Sequence, residues 1–492
     1  MRKPPRTQSA FNLLKQIGFA LLFCCLAHTD LIGCDLQLQS TAQYGDSIDE
    51  DVIDMLVPYT DALVIAGGSY PPMAGFLSLI EHDEVQWTLS LRDSGVILIE
   101  GVALFDSSSV VFSGSSYRQS QGYKSFVGKA TLSGQLQWLR FYDEFDAWFM
   151  FDVKVDSCRN IIAAGGTPFA DMSQDALVIK VDSTGNPIWS RAFGSTGSEN
   201  FDRLALTSSG DIVLAGVGDN PANYEFEILI AKVSSEGDSI WSHYYRPIID
   251  SSYVWWPRIS VVSDSFYVVG VNLRPSNYRE QIQIFAVDSS GSLLWATEIG
   301  GPLDDRIYDI NVTDDKKVWI CGAMNDDQSG PLNAFVAPLD TNGNTLNQFR
   351  VEDSLQTFAT CMVVSDSCTV ILGGDRRQSM DDPWSDIYVI NLADNQTEVP
   401  SRDFGRSLEF QISTFPNPFN STLSISLDIP LHQEVSLTLY DLLGREVDVI
   451  HHGRLSANTI SYTAPPELSS GIYFLRAATK TQSQIEKIVL LK

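Results

Sequence analysis

Tryptophan recurs along this chain at an almost fixed interval. Trp87, Trp138, Trp189, Trp241 and Trp295 stand 51, 51, 52 and 54 residues apart, and Asn347 takes the next place 52 residues on. From Trp138 onward, a glycine precedes each of these positions by four residues: Gly134, Gly185, Gly237, Gly291 and Gly343. The segments read TLSGQLQW, DSTGNPIW, SSEGDSIW, DSSGSLLW and DTNGNTLN. A glycine between two stretches of alternating polarity is the mark of a tight turn joining antiparallel strands. A fixed period of this length constrains the fold more than any other feature, because each unit must bury its apolar surface against the next copy.

A second element runs in phase with the first. Apolar runs ending in glycine occur as ALVIAGG, VVFSGS, IIAAGG, IVLAGV, YVVGV, VWICGA and VILGG, with Gly67, Gly114, Gly165, Gly216, Gly270, Gly322 and Gly373 at their ends. One period therefore reads strand, turn, glycine-ended strand, loop, strand, turn, tryptophan strand. Seven four-stranded periods predict an all-β chain built on a seven-bladed β-propeller over residues 35–395. A linear β-solenoid is the weaker alternative. The seventh period lacks a clear tryptophan strand, and residues 36–45 (LQLQSTAQYG) look like the stretch that follows Trp189. They are expected to supply the outer strand of the last blade. The pattern resembles a family of bacterial propeller-repeat proteins in which D-x-x-G-x-x-x-W alternates with an apolar-Ala-Gly-Gly strand. That resemblance implies a fold and no activity.

A polar stretch, residues 396–411, is expected to be a linker to a domain over 412–492. The tail carries Phe415-Pro416-Asn417-Pro418-Phe419-Asn420, then Leu439-Tyr440-Asp441 with Gly444-Arg445-Glu446-Val447, then Ser470-Gly471-Ile472-Tyr473, and it ends in Lys487-Ile488-Val489-Leu490-Leu491-Lys492. Alternating strands with hairpin turns predict a small Ig-like β-sandwich. Its motifs closely resemble the type A sorting domain of the type IX secretion system. The resemblance implies export to the periplasm, passage across the outer membrane by that secretion machinery, and a secreted or cell-surface location.

The N-terminus fits the same route. Arg2, Lys3, Arg6 and Lys15 precede an apolar run from Ile17 to Ala27, the layout of a secretory signal peptide over residues 1–27. The run is too short to span a bilayer, and no transmembrane segment is expected. Leu31-Ile32-Gly33-Cys34 resembles a bacterial lipobox and leaves lipidation of Cys34 as the alternative processing. The formal net charge is −28, which argues against nucleic acid, whose affinity depends on Lys and Arg meeting phosphates. Cleavage leaves five cysteines, Cys34, Cys158, Cys321, Cys361 and Cys368; the odd number and the spacing fit no disulfide or zinc framework, and they are read as mostly free, buried thiols, with a Cys361–Cys368 bridge as the alternative.

Chemistry is sparse. The propeller holds only His82 and His243, read as surface or packing residues, and no G-x-S-x-G, HExxH or P-loop occurs. The string Asp182–Trp189 resembles the tryptophan-docking repeat of pyrroloquinoline-quinone dehydrogenases. Seven units instead of eight, with the Cys24-Cys25 pair inside the export segment, set that kinship aside. Asp304-Asp305, Asp326-Asp327 and Asp381-Asp382 are read as solvated turns or weak Ca²⁺ ligands, and no cofactor is expected. Loops after the tryptophan strands and after the glycine-ended strands should share one face, and they are rich in aromatics: Tyr142, Phe145, Trp148, Tyr244, Tyr245, Tyr253, Trp255 and Trp256 in the first set. The second set holds Tyr70, Tyr117, Tyr123, Phe169, Tyr224, Tyr278 and Trp384. Such planes suit sugar rings or an extended polymer, and Trp148, Trp255, Trp256 and Arg279 are the candidate ligand-binding residues. The expected role is non-catalytic binding or scaffolding of a carbohydrate or surface-protein partner; the alternative is a secreted polysaccharide hydrolase using the same face.

Overall fold

The computed structural model describes residues 36–394 and 411–491, except 45–48, 60–61, 71–73, 83, 93–95, 119–121, 143–148, 168–173, 195–196, 223–224, 249–250, 276–278, 302, 326–329, 341, 352, 366–368, 378–384, 416, 429–433, 442–444, 455–458, 466–467 and 479–482. The expected signal segment, Cys34 and most of the expected linker lie outside these residues. Regular structure among the described residues is entirely β. Seven four-stranded antiparallel sheets form the propeller, each except the last built from consecutive strands. The first strands of blades 1 to 7 are Asp49–Leu56, Val96–Asp106, Phe149–Val155, Glu199–Leu206, Ser251–Ser263, Asp305–Val312 and Gln356–Val364. Each touches the next in order, and the last touches the first. They are the innermost strands of a closed ring. In blade 7 the outer place is taken by Leu36–Tyr44, whose residues pair antiparallel with Ser385–Asp394 from Leu36 opposite Asp394 to Tyr44 opposite Ile387.

The core consists of slabs between blades. Ile162, Ala164 and Val178 of blade 3 pack on Phe201, Leu204, Leu214 and Leu229 of blade 4, and similar clusters fill the other seams. Middle strands such as Ile161–Gly166 and Ala176–Val181 are buried along their whole length, because neighbouring blades cover both of their faces. That is why they read as unbroken apolar runs, while the outer strands alternate.

The glycine-tryptophan motif works across these seams. Each motif glycine sits at positive φ, 83° at Gly134 and 87° at Gly237, in the left-handed position of the turn. A Cβ on Gly134 would lie 2.8 Å from the Trp87 ring, on Gly185 2.9 Å from Trp138, and on Gly237 3.0 Å from Trp189. In each case the tryptophan belongs to the preceding blade. The indole N–H completes the lock: Trp87 Nε1 donates to the Leu132 carbonyl at 2.9 Å, Trp189 to Ser235 at 3.2 Å and Trp241 to Ser289 at 2.8 Å.

The second glycine answers to a bulge. The innermost strands share one register slip, between Val52 and Asp54, Ile99 and Gly101, Met150 and Asp152, Phe201 and Arg203, Trp255 and Arg258, Ile307 and Asp309, and Ala359 and Cys361; blades 2 and 5 carry further slips nearer their strand ends. The bulge drives a carbonyl onto the second strand. A Cβ at Gly67, Gly114, Gly165, Gly216, Gly322 or Gly374 would collide with that oxygen. In blade 7 the residue so placed is Gly374, one position beyond the periodic Gly373. In blade 5, Gly270 instead faces Ile307, Ile284 and Ile310.

The tail is a sandwich of two sheets around Phe419, Leu423, Leu437, Leu475 and Leu490. Gln411–Phe415, Thr422–Asp428 and Thr459–Thr463 make one sheet; Glu446–Arg454, Glu434–Tyr440, Gly471–Ala478 and Ser483–Leu490, in that spatial order, make the other. Gln411 is the first residue of a strand.

Candidate functional site

The bulges decide what reaches the axis. An innermost strand has its partner on one side and the central channel on the other, so an unpaired residue protrudes toward the channel. At the shared slip six blades leave one residue unpaired: Ile53, Glu100, Phe151, Asp202, Tyr308 and Thr360. Blade 5 leaves two, Trp256 and Pro257. Residues just after the bulge tie the ring together. Asp54 accepts from Met55 N–H at 2.9 Å and from Val102 N–H of the next blade at 2.8 Å. Asp152 does the same for Val153 and Leu204, at 2.8 and 2.9 Å, and Asp309 for Ile310 and Met362, at 2.8 and 3.0 Å. The Thr360 hydroxyl donates to the Val52 carbonyl at 2.6 Å and joins blade 7 to blade 1.

Charges converge inside this ring. Arg203 feels Asp152, Asp54, Asp309 and Asp202, which come from four blades. Burial pushes the Asp202 carboxyl up to about 6, with Arg258 and Arg203 opposing, and Asp54 likewise to about 6 against Lys154. Burial also raises Glu100, while burial beside Arg203 lowers Arg258 to about 10. Asp202 holds Asn200 Nδ2 at 3.1 Å through one oxygen, and its other oxygen is buried without a hydrogen-bond partner.

Trp255 and Trp256 lie where the seven-fold pattern breaks. Trp256 has φ 48°, a conformation a bulky side chain adopts only under strain, and its side chain is 49% exposed. It is part of a row of rings crossing three blades. Centroids step 6.4 Å from Tyr253 to Trp255, 6.0 Å to Trp256, 6.2 Å to Tyr308 and 6.3 Å to Phe358. Tyr253 is exposed and Phe358 buried, so the row rises from the core of blade 7 to the surface of blade 5.

Arginines flank the row. The Arg274 guanidinium lies 4.5 Å from the Trp255 ring centroid and Arg377 5.2 Å from that of Phe358. Glu280 joins Arg274 at 2.7 Å and also pairs with Arg306, which hydrogen-bonds Tyr308. Arg377 bonds Asp375 at 2.9 Å and reaches Asp51 at 3.4 Å, and Arg376 pairs with Asp353 at 2.9 Å. Burial and the Asp51 charge push the Asp375 carboxyl up to about 8.

Of the four candidate binding residues, Trp255 and Trp256 meet in this row. Arg279 is half-buried in the loop before Glu280, and Trp148 lies outside the described residues, as do Phe145, Phe169, Tyr224, Tyr278 and Trp384. Tyr142 proves to be a buried packing residue whose hydroxyl donates to the Gly185 carbonyl at 3.0 Å. Tyr244 bonds Glu199 at 3.0 Å and Tyr245 bonds the Gly291 carbonyl. Tyr117, Tyr123 and Phe149 form a second row with steps of 4.7 Å. His243 stacks on Trp241 at 5.3 Å. Asp304 and Asp305 are occupied by backbone N–H groups of Glu280, Gly301 and Asn325 at 2.9, 2.6 and 3.2 Å. Among the described residues no group of three or more His, Cys, Asp or Glu is placed to hold a metal, and Cys158, Cys321 and Cys361 are free thiols.

Sequence reasoning missed the inward charges and one cavity. A space of about 360 Å³ opens at the seam of blades 5 and 6, lined by Glu298, Asp305, Asn325, Asn344, Gln348 and Arg350 among others. It lies beside Asn347, which replaces the periodic tryptophan, and beside an outer strand reduced to Phe349–Arg350.

The tail motif holds the C-terminal strand. The Asn417 side chain donates to the Lys487 carbonyl at 2.8 Å and accepts from Val489 N–H at 3.0 Å. Phe419 is 1% exposed and exchanges backbone bonds with Val489 and Leu491 at 2.9 and 2.8 Å. Pro418 is exposed after a cis peptide bond, and Asn420 is exposed beside it. Phe415 ends its strand. Arg445 returns to Asp441 at 2.7 Å, Gly471 opens a strand, and the Tyr473 hydroxyl donates to the Ser469 carbonyl at 2.7 Å. Pro416, Gly444 and Lys492 lie outside the described residues.

A seven-bladed β-propeller with a folded β-sandwich tail is the class these features define. Residues 413–491 match the secretion system C-terminal sorting domain, and the tail is a sorting domain of the type IX secretion system. Among solved structures, the chain is similar to a protein of unknown function from Dyadobacter fermentans, at 10% identity and TM-score 0.45 over 73% of this chain and 99% of that one. It is also similar to the β-propeller domain of the Trilobed protease from Pyrococcus furiosus, at 9% identity and TM-score 0.39 over 72% and 100%. A third is an acylaminoacyl peptidase from Pyrococcus horikoshii, at 10% identity and TM-score 0.39 over 77% and 58%. No curated protein matches the chain in sequence.

Proposed function

We propose that the propeller is a non-catalytic binding module, delivered to the cell exterior by its sorting domain, and that its ligand is a carbohydrate held on the face of blades 5 to 7. The observation that carries this reading is Trp256. A strained, half-exposed indole in the one doubled bulge of the ring stands at the middle of a row of five aromatic rings. Strain of this kind costs about 1–3 kcal/mol and persists where the surroundings fix it for a purpose. Aromatic faces beside hydrogen-bonding groups are the chemistry a sugar ring needs. A glycan array probed with the full chain tests the reading. Trp256→Ala should weaken binding at least tenfold while leaving the fold intact, since the half-exposed ring lies outside the buried core and the backbone conformation, whose strain comes from the Cβ, is unchanged. Equal binding by both proteins would rule this face out.

A second reading, hydrolysis of a polysaccharide, has one observation in its favour: Glu100 and Asp202 are carboxyls raised by burial in the same channel, as a general acid requires. Both sit among Arg203 and Arg258, which also suits a structural charge network. Turnover of any glycan that Glu100→Gln abolishes without loss of binding would decide for the enzyme.

A further inference from the structure

The face that carries the Trp256 row holds a second aromatic row, separated from the first by blade 4. Tyr117 lies at the end of one strand of blade 2 and Tyr123 at the start of the next, both exposed, and the first strand of blade 3 adds the half-buried Phe149 and Phe151. Centroids step 4.7 Å from Tyr117 to Tyr123, 4.7 Å to Phe149 and 5.4 Å to Phe151, with the last two rings parallel to within 6°. The first strand of each blade starts on the side where the second strand ends, so both rows open on one face.

The rows converge on the channel mouth. Phe151, Trp256 and Tyr308 are the aromatic members of the set that the bulges leave unpaired. Arginines inside the ring hold all three by the backbone: Arg203 Nη1 donates to the Phe151 carbonyl at 3.0 Å, Arg258 Nη1 to the Trp256 carbonyl at 3.2 Å, and Arg258 Nε to the Tyr308 carbonyl. Rings pinned in this way lose little freedom when a ligand arrives, which makes them a pre-organised contact surface.

Blade 4 is polar where it lies between the rows. Arg246 is exposed and pairs with Glu225 and, at 2.9 Å, with Glu227; Asn220 Nδ2 donates to Glu227 at 2.6 Å, and the Phe226 ring between the two glutamates is exposed. Farther along, Arg274 and Arg306 meet Glu280, Arg376 meets Asp353, and Arg377 meets Asp375 and Asp51. Asp304 and Asp305 add two further carboxylates, so that acids outnumber arginines along this path even with Arg279 counted. No positive excess among the described residues here draws an anion to a chain of net charge −28. Ring faces and hydrogen bonds are left to do the recognising.

We propose that the two rows are the arms of one binding track, which takes an uncharged, linear polysaccharide by an internal stretch of its chain. Sugar faces stack on Tyr123 in one arm and on Trp256 in the other, and hydroxyls between them meet the polar groups of blade 4. The proposal rests on the carbohydrate reading above and deepens it from a sugar to a chain. One sugar ring covers about one aromatic ring, so two rows of several rings exceed what a monosaccharide or a chain end uses. Contacts in the second arm, once the first is filled, are intramolecular and add affinity at little further cost.

The test uses the full chain in two stages. In affinity electrophoresis, at least one of xylan, mannan and dextran should retard the protein equally at about 50 and 500 mM salt, since no ion pair is there to be screened, and polygalacturonate should not. Calorimetry then follows oligosaccharides, from two to about eight units, of whichever uncharged polymer or array glycan binds. Affinity should rise at least tenfold with length. Tyr123→Ala and Trp256→Ala should each lower binding of the longest oligosaccharide severalfold and flatten that rise, with circular dichroism confirming the fold of both variants. Tyr123→Phe, which keeps the ring, should bind as the unaltered chain does. Trp256-dependent binding without length dependence, or a length dependence that Tyr123→Ala leaves intact, would overturn the single track and leave the carbohydrate reading standing. Binding of polygalacturonate alone, abolished by salt, would overturn the uncharged ligand. Retardation by none of the four polymers, with no signal on the glycan array, would overturn both readings.

Discussion

Glycine and tryptophan stand four residues apart in the repeat, yet each meets its partner in a neighbouring blade, and this gives a sharp test at the scale of a single atom. Gly237→Ala combines a left-handed φ with a Cβ 3.0 Å from Trp189, whereas Gly122 has φ 76° and open space around it. Left-handed strain alone costs roughly 1–2 kcal/mol, and overpacking adds about 1–3 kcal/mol. Denaturant unfolding should therefore show Gly237→Ala losing clearly more stability than Gly122→Ala; equal losses would mean the ring contact contributes nothing. Asp375 offers a pH test. Its carboxyl is raised in the folded state, so its favourable contribution is complete below about pH 4 and is lost as pH rises through about 8. Asp375→Asn should flatten the decline in melting temperature between pH 5 and 8, and an unchanged slope would count against a protonated Asp375. The tryptophans and glycines were legible because each fills one fixed role in every blade. The channel residues were not. The positions after the seven bulges hold Asp54, Gly101, Asp152, Arg203, Arg258, Asp309 and Cys361, with no common residue type, because the bulge is a property of the paired backbone and shows only once register is known.

At the scale of elements, the ring is joined by a strand from the other end of the propeller. Leu36–Tyr44 covers Ser385–Asp394, which would otherwise expose a row of unpaired backbone groups. A chain beginning at residue 46 should unfold at lower denaturant and self-associate in size-exclusion chromatography; retention of both properties would show that the clasp is dispensable. The similarity of residues 36–45 to an outer strand was visible in sequence, since outer strands alternate and carry their own signature. The seam cavity was half-visible. Asn347 marked the lost tryptophan, but whether a lost side chain is refilled by its neighbours or left open depends on packing that no period encodes.

At the scale of the molecule, an acidic propeller and a sorting tail are two folded units with separate tasks, and the tail's surface suggests how the second is done. Two of its motif residues are spent on the fold: Phe419 is buried, and Asn417 holds the Lys487 and Val489 backbone. The sheet that this strand completes offers a receptor a further surface. In the four-stranded sheet, register places Val449 opposite Thr438, Thr438 opposite Arg476 and Arg476 opposite Ile485, with Ile472 opposite Val489 on the same side. Val449 is 50% exposed and Ile485 61%, apolar groups in line across a sheet face, a pattern associated with interaction surfaces. Ile485→Asp with Val449→Asp should leave the tail folded, because neither contributes to its core, and should leave the protein in the periplasm in cell fractionation. Leu490→Asp, which places a charge in the core, should lose the fold as well, seen by circular dichroism of the purified protein. Normal surface delivery of the folded double variant would assign recognition to another face of the tail.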